Sequence, residues 1–265
     1  MESKNRNVWI LVIVVLIVAC CALATVVGGV GWFATRSIDL QPFVSGGTSS
    51  ERVAQSFEVG DGPTLDIENF AGSITIRSSR SGIIEVTAAK KASNRARLNQ
   101  IEIQMSQTSS GVRIETQRRG GTSNMSVDLD IRVPANTSLV VQTGAGTVYV
   151  DGVAAPINVQ SGAGQVDLRG AEGPVRVQVG AGQILYDGAP TGDCRFDTGA
   201  GEIRLSVPAE WNMQVDLSTG IGAVGTDFPV DGLVRLQQVK GVVGNGSQAS
   251  IVAHTGAGAV SLNHR

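Results

Sequence analysis

Among the 23 Asp and Glu residues and two histidines of this chain, few stand at positions that suggest acid–base chemistry. Asp151 and Asp187 each follow a short alternating apolar segment, where paired carboxylates of a β-rich glycosidase or lyase could lie. That chemistry requires two carboxyl groups at a set separation. The equivalent position between them is Arg169, and Asp167 and Asp197 fall at other positions of the pattern. No converging pair of carboxylates is predicted, and the sequence indicates no catalytic residue.

The cysteines and histidines lead to the same expectation. Cys20 and Cys21 lie in an apolar segment, and Cys194 stands alone in the rest of the chain. The only histidines, His254 and His264, lie near the C-terminus. Cys194 is interpreted as a small core residue rather than a nucleophile. No disulfide framework, Ser–His or Cys–His pair follows from the spacing, and no metal site or cofactor is predicted.

The elements that would hold these residues are indicated by a recurring Gly-Ala-Gly tripeptide, with Gly-Ile-Gly in one copy. Its first glycines are 18, 18, 19, 21 and 36 residues apart, and the last interval predicts a degenerate copy near residues 241–246. A fixed period of this kind is the signature of a repeat protein. The glycines are predicted to form the structural corner of each repeat. They are Gly144, Gly146, Gly162, Gly164, Gly180, Gly182, Gly199, Gly201, Gly220, Gly222, Gly256 and Gly258.

Each copy alternates apolar and polar residues on both sides of the corner, which is the pattern of a half-buried strand. Two short strands cannot bury a core alone, but stacked copies can, with equivalent apolar side chains in rows. The predicted rows are Val148, Val166, Ile184, Ile203, Val224 and Val260; then Val150, Leu168, Tyr186, Leu205 and Leu262; then Leu139, Ile157, Val175, Met213 and Ile251. The predicted fold is all-β, a single-stranded β-solenoid or β-helix with coils of about 18 residues.

Composition agrees with a repeat of this type. The 265 residues include 34 glycines, and only 4% are aromatic. A dinucleotide-binding loop would need a third glycine and a following helix, whereas strand residues follow each corner here. The formal net charge of −2 argues against nucleic acid as a partner. The local basic run of Lys90, Lys91, Arg95 and Arg97 is interpreted as a solvated loop, with contact to anionic polymer or lipid as the alternative.

The N-terminal segment predicts a membrane anchor that precedes the solenoid. Residues 8–35 carry no charge, and their length is sufficient for one transmembrane helix. Lys4 and Arg6 precede the segment and predict a cytoplasmic N-terminus over residues 1–7 and an extracytoplasmic C-terminal part. A cleaved signal peptide, or lipidation at Cys20, remains as an alternative to the single-pass anchor in the cell membrane.

Beyond the anchor, the sequence predicts a linker and one solenoid domain. Residues 36–55 are polar and read as the linker. Residues 56–138 predict irregular coils with one hairpin and one helical turn, and residues 139–265 predict the regular Gly-Ala-Gly coils that complete the domain of residues 56–265.

The pattern of the repeats resembles that of a known protein family. A strand that ends in Arg132-Val133-Pro134 precedes Leu139-Val140-Val141 and glycine-rich copies of the form Thr-Gly-x-Gly-x-Val. This arrangement is similar to that of the bacterial putative-adhesin family of β-strand-repeat proteins, from about Val53 to the end of the chain. The resemblance implies a β-solenoid, often attached to a membrane segment, and it supplies no catalytic residue.

The function expected from these patterns is non-enzymatic: presentation of a repetitive extracytoplasmic surface for adhesion or contact with the cell envelope. An envelope polymer, a surface protein or self-association are the partners considered. One alternative is a scaffold polymer like the bacterial cytoskeletal bactofilins, since the chain ends in a well-formed repeat whose edge would be open. A further alternative is a sensing partner of an envelope-stress system. No single residue is expected to carry the activity.

Overall fold

The computed structural model describes residues 43–45, 48–120 and 124–265, with the backbone alone for residues 43–45 and 48. The predicted N-terminus and membrane anchor lie outside the described residues, as do residues 36–42, 46 and 47 of the predicted linker. The rest of that linker is not an extended spacer but belongs to the first two strands of the sheet. Within the described part, no helix has the length and apolar character needed to cross a membrane.

The all-β prediction is confirmed: the described residues form one mostly parallel sheet with a single short helix, α1 (Arg95–Leu98). The sheet contains β1 (Phe43–Ser45), β2 (Thr48–Glu58), β3 (Thr64–Asn69), β4 (Ile74–Ser79), β5 (Ile83–Ala92), β6 (Ile101–Thr108), β7 (Gly111–Arg118), β8 (Met125–Pro134), β9 (Ser138–Asp151), β10 (Ile157–Ala171), β11 (Val175–Gly188), β12 (Asp193–Val207), β13 (Met213–Ile221), β14 (Val224–Thr226), β15 (Asp231–Arg235), β16 (Gln238–Val243), β17 (Ala249–Ala257) and β18 (Val260–His264).

Strands β9 to β12 stack in parallel and in the register that the repeat predicts. Val148 pairs with Val166, Val166 with Ile184, and Ile184 with Ile203, so that each layer advances by one sequence repeat. The two strands predicted on either side of a corner are halves of one long strand here, because the corner alanines keep their ladder pairing from layer to layer. This is the arrangement of a β-helix-like stack.

The first two predicted core rows are confirmed, and the third is wrong at one position. Ile251 pairs with Val215, whereas the predicted Met213 pairs with Ala249, two residues earlier. Both side chains are buried because the two positions share one face of the strand. Cys194 belongs to the same row, between Val175 and Ile251, and is buried as predicted.

The N-terminal layers are stacked out of sequence order. Strands β3 and β4 pair in parallel with β9 on one side and with β7 and β8 on the other. Strands β6 and β5 then add in antiparallel fashion to β7 and β8, and β2 adds to β5. The predicted hairpin at β6 and β7 and the predicted helical turn are therefore present. The predicted basic loop is wrong: Lys90 and Lys91 lie in β5, and Arg95 and Arg97 in α1.

The C-terminal layers are also out of order, and this corrects two expectations. Strands β17 and β18 lie between β12 and the pair β13–β14, with parallel pairing on both sides. The last repeat in the sequence is therefore an interior layer and not the open end of a stack. The degenerate repeat expected near residues 241–246 is instead β16, which pairs antiparallel with β13 and carries β15 outside it.

Candidate binding groove

The corner glycines lie at the closest approach between successive layers. The second glycine of each corner has a positive φ, for example 127° at Gly164 and 147° at Gly182. A Cβ at Gly164 would clash with the carbonyl oxygen of Gly146, and a Cβ at Gly162 would clash with that of Gly144. The backbone conformation and the stacking both require glycine at these positions.

In three of the corners, the hydroxyl group of the preceding residue donates to the carbonyl of the residue between the two glycines. Ser161 donates to the carbonyl of Ala163 at 3.3 Å, Thr198 to that of Ala200 at 3.4 Å, and Thr219 to that of Ile221 at 3.2 Å. The hydroxyl thus bridges the turn in these three corners. Thr255 instead donates to the carbonyl of Gly201 in the neighbouring layer at 3.3 Å, Val179 precedes the third corner, and Thr143 Oγ1 is buried without a partner among the described residues. The repeat pattern alone identifies the residue before each corner as part of the motif and does not reveal these hydrogen bonds.

A polar groove of about 1100 Å³ runs across the layers, along the first half of each long strand and its corner. The corner glycines leave its surface without side chains there. One outward position supplies a ladder of polar side chains in neighbouring layers, each paired in register with the next. We call this set the groove ladder. It consists of Glu68, Gln142, Gln160, Gln178, Asp197 and His254.

The groove ladder is amide in the middle and ionic towards its ends. Glu68 lies 3.4 Å from Arg113, and Asp197 lies 2.7 Å from Arg195. Arg176 lines the groove between these two pairs, and within the described residues no ion pair involves it. The middle of the groove therefore combines three neutral amides with one uncompensated guanidinium.

The carboxylates that the sequence singled out do not converge. Asp151 and Asp187 lie on opposite sides of Arg169 in the parallel register, about 10 Å apart from the strand spacing alone. Arg169 binds Asp167 at 3.0 Å, and Asp187 binds Arg265 at 2.7 Å. An arginine thus separates the two carboxylates in the strand ladder. Within the described residues, no group of three His, Cys, Asp or Glu side chains is placed to hold a metal ion.

The structure brings together one pair that the spacing did not reveal. His254 Nδ1 lies 3.1 Å from Ser218 Oγ, because β17 packs beside β13 although 36 residues separate the two side chains. The pair lies on the exposed face of the sheet. Asp197 occupies the next layer, but its carboxylate is bound by Arg195 in two contacts, at 2.7 and 3.2 Å. Asp197 therefore does not orient the imidazole as the carboxylate of a catalytic triad would.

Cys194 is enclosed in the core. Burial raises the pKa of its thiol from the ordinary 9.0 to about 11. A thiol of this kind is protonated near neutral pH and is a poor nucleophile.

No protein-family model matches this chain, and no curated protein matches it. Solved structures do match. One is a crystal structure of a protein named a putative cell adhesion protein, from Clostridium sporogenes, with 19% identity, coverage of 81% of this chain and 100% of that chain, and a TM-score of 0.49. Another is named a putative adhesin, from Bacteroides fragilis, with 10% identity, coverage of 80% and 96%, and a TM-score of 0.39.

A third match is named a putative adhesin, from Parabacteroides distasonis, with 8% identity, coverage of 81% and 97%, and a TM-score of 0.23. The resemblance noted in the sequence is therefore accompanied by structural matches to proteins of that description. These names belong to those proteins, and no residue role is transferred from them.

Proposed function

We propose that this chain is a non-enzymatic, membrane-anchored β-solenoid that binds an extended glycan of the cell envelope or of another cell surface along the polar groove. The observation that carries the proposal is the groove ladder, in which Gln142, Gln160 and Gln178 occupy equivalent positions in three adjacent layers. A repeating ligand could then meet the same amide group at each step along the stack.

The geometry of the groove supports an extended polymer rather than a compact ligand. Adjacent layers of a parallel sheet are about 4.8 Å apart, so the six members of the groove ladder extend over roughly 24 Å. One ring of an equatorially linked glycan is close to one layer in length. An amide side chain both donates and accepts hydrogen bonds, as sugar hydroxyls do.

The charge of the groove favours acidic glycans over neutral ones. Arg176 is next to Gln160 and Gln178 in the groove lining and has no ion-pair partner among the described residues. A guanidinium binds planar carboxylates through paired hydrogen bonds. We therefore expect glycans with carboxylate groups to bind more tightly than neutral ones.

The proposed location follows from the charge and length of the N-terminal segment. Residues 8–35 would form a single-pass anchor in the cell membrane, with residues 1–7 in the cytoplasm and the β-rich part outside it. An anchored module with a groove along its length would hold a surface polymer close to the cell.

The chain offers a matched test of the groove. Gln160→Ala with Gln178→Ala removes two groove amides, whereas Gln165→Ala with Gln183→Ala removes two amides from the same layers on the other side of the corner, away from the groove lining. Binding of the detergent-solubilised full chain to an array of neutral and acidic glycans is the measurement. Loss of two hydrogen bonds should weaken binding about tenfold or more in the groove variant alone.

Arg176→Ala should reduce binding to acidic glycans more than binding to neutral ones. Equal losses in the groove variant and its matched control, with unchanged melting curves, would contradict the groove as the binding site. Absence of binding to every glycan tested would contradict the proposed ligand class.

A further inference from the structure

The end of the sheet formed by β15 combines an open strand edge with exposed apolar side chains. Within the described residues, β15 pairs with β16 and with no other strand. The large apolar side chains with the greatest exposure in the described part are Ile221 at 74%, Leu236 at 74% and Val234 at 61%. Val234 belongs to β15, and Leu236 to the turn that follows it. Ile221 lies next to Gly220, whose carbonyl accepts a hydrogen bond from Gln237 of the same turn.

The pairing of β15 with β16 shows which groups face away from the sheet. A two-residue turn, Leu236 and Gln237, joins Arg235 to its partner Gln238. The closing pair of such a hairpin is hydrogen-bonded, and the pairs then alternate along the strands. The backbone N–H and C=O groups of Gly232 and Val234 therefore point away from β16 and are available to another strand.

The side chain of Val234 lies on the face of β15 that is continuous with the hydrophobic core. It faces Val239, which is buried at 1% exposure, so the two side chains lie on the core face of the hairpin. On the same face of β15, Gly232 has no side chain. The core face of the hairpin thus ends at this edge in an exposed valine.

The sequence of β15 is complementary to itself in antiparallel pairing. With the two-fold axis at Leu233, Asp231 faces the partner's Arg235, and Gly232 faces the partner's Val234. Asp231 and Arg235 are exposed, and neither takes part in an ion pair within the described residues. Each dimer would therefore gain two opposite-charge pairs and two Gly–Val contacts from five residues.

We propose that β15 is a dimerisation edge and that its occupant is the β15 strand of a second copy of this chain. Opposite charges that face each other across antiparallel strands stabilise the pairing. The backbone groups of Gly232 and Val234 coincide with the hydrogen-bonding pairs of this register. A two-fold contact uses the same edge of both copies and closes, so the product is a dimer and not a filament.

Cysteine cross-linking tests the register directly. In the full chain with Cys20→Ser and Cys21→Ser, Leu233→Cys places two thiols opposite each other in a pair without hydrogen bonds, where Cα atoms are about 4.5 Å apart. This distance is compatible with a disulfide bond. Mild oxidation in detergent should convert this variant to a species of twice the monomer mass on a non-reducing gel. Cys194 remains in place, because it is buried.

Two single-cysteine controls separate the proposed register from random collision. Val234→Cys lies next to Leu233 and keeps both opposite-charge pairs, but its counterpart in the dimer is Gly232, so it should not form the cross-link. Gln104→Cys lies on β6, at the other end of the sheet, and should also run at the monomer mass on the non-reducing gel. A monomeric Leu233→Cys variant, or equal cross-linking of all three, would overturn the proposal.

Charge exchange provides a second test by light scattering of the detergent-solubilised chain. Arg235→Asp turns both opposite-charge pairs into like-charge pairs and should weaken dimerisation about tenfold or more. Asp231→Arg combined with Arg235→Asp restores both pairs and should restore the dimer. Failure of the double variant to dimerise, with a melting curve like that of the unchanged chain, would overturn the pairing.

Discussion

At the scale of single residues, the corner glycines act through the side chain that they lack. Gly164 lies with its Cα against the carbonyl of Gly146, and Gly182 lies in the same way against Gly164. The contact recurs in successive layers, so each of these glycines permits the approach of its neighbour. The alanine between the two glycines is exposed, which explains why Gly-Ile-Gly at residues 220–222 is accommodated.

Replacement of one such glycine should be costly. Gly164→Ala introduces a Cβ at a φ of 127° and places it against the backbone of the preceding layer. We expect a loss of more than about 2 kcal/mol in the free energy of unfolding, measured by chemical denaturation. Gly60→Ala is the control, because a Cβ there would meet no atom within 4 Å. Equally small losses of stability in the two variants would show that the layers can stack with a Cβ at this position.

At the scale of elements, the insertion of β17 and β18 between β12 and the β13–β14 pair decides how the C-terminal part holds together. Five residues connect β12 to β13, the same number that connects β9 to β10. The first connection spans two layers and the second spans one. The hairpin β15–β16 lies in the segment between β14 and β17. Along the sequence, the outer layers therefore come before the layer that is inserted between β12 and β13.

Removal of the last repeat should therefore expose two strand edges. A chain that ends after Gln248 lacks β17 and β18, which leaves β12 and β13 without their common neighbour. We expect aggregation and rapid hydrogen exchange in β13, because open edges pair with other chains. A chain that ends after His264 keeps β18 whole, loses Arg265 with its exposed pair to Asp187, and should behave like the complete protein. A soluble shorter chain with slow exchange in β13 would mean that β13 can move onto β12.

At the scale of the whole molecule, antiparallel strands cover both ends of the parallel stack. Strands β5 and β6 lie at one end, and β16 and β15 lie at the other. End-to-end polymerisation through an open C-terminal repeat, considered from the sequence, loses its basis since that repeat is interior. The orientation of this stack with respect to a membrane remains a prediction from residues 8–35.

Topology can be measured on intact cells. A cysteine at Ser49, near the start of β2, should react with a membrane-impermeant thiol reagent if the β-rich part is extracytoplasmic, because the Lys4 and Arg6 bias keeps the N-terminus inside. The background carries Cys20→Ser and Cys21→Ser, and the unmodified background should not react, since Cys194 is buried. Labelling of the Ser49→Cys chain only after lysis would place this part of the chain in the cytoplasm.

The sequence alone determined the local properties: strand type, the inward rows, the glycine corners and the buried Cys194. These follow from a period of two residues and from backbone sterics, which act within a few residues. The tertiary structure decided the order of layers, and with it the position of β17, the Ser218–His254 contact and the course of the groove. Successive repeats carry nearly the same alternating pattern and present similar edges, so composition cannot rank their neighbours. Connection length does not rank them either, because five residues span one layer between β9 and β10 and two layers between β12 and β13. The order is set by the non-local pairing of β17 and β18 with β12 on one side and with β13 and β14 on the other.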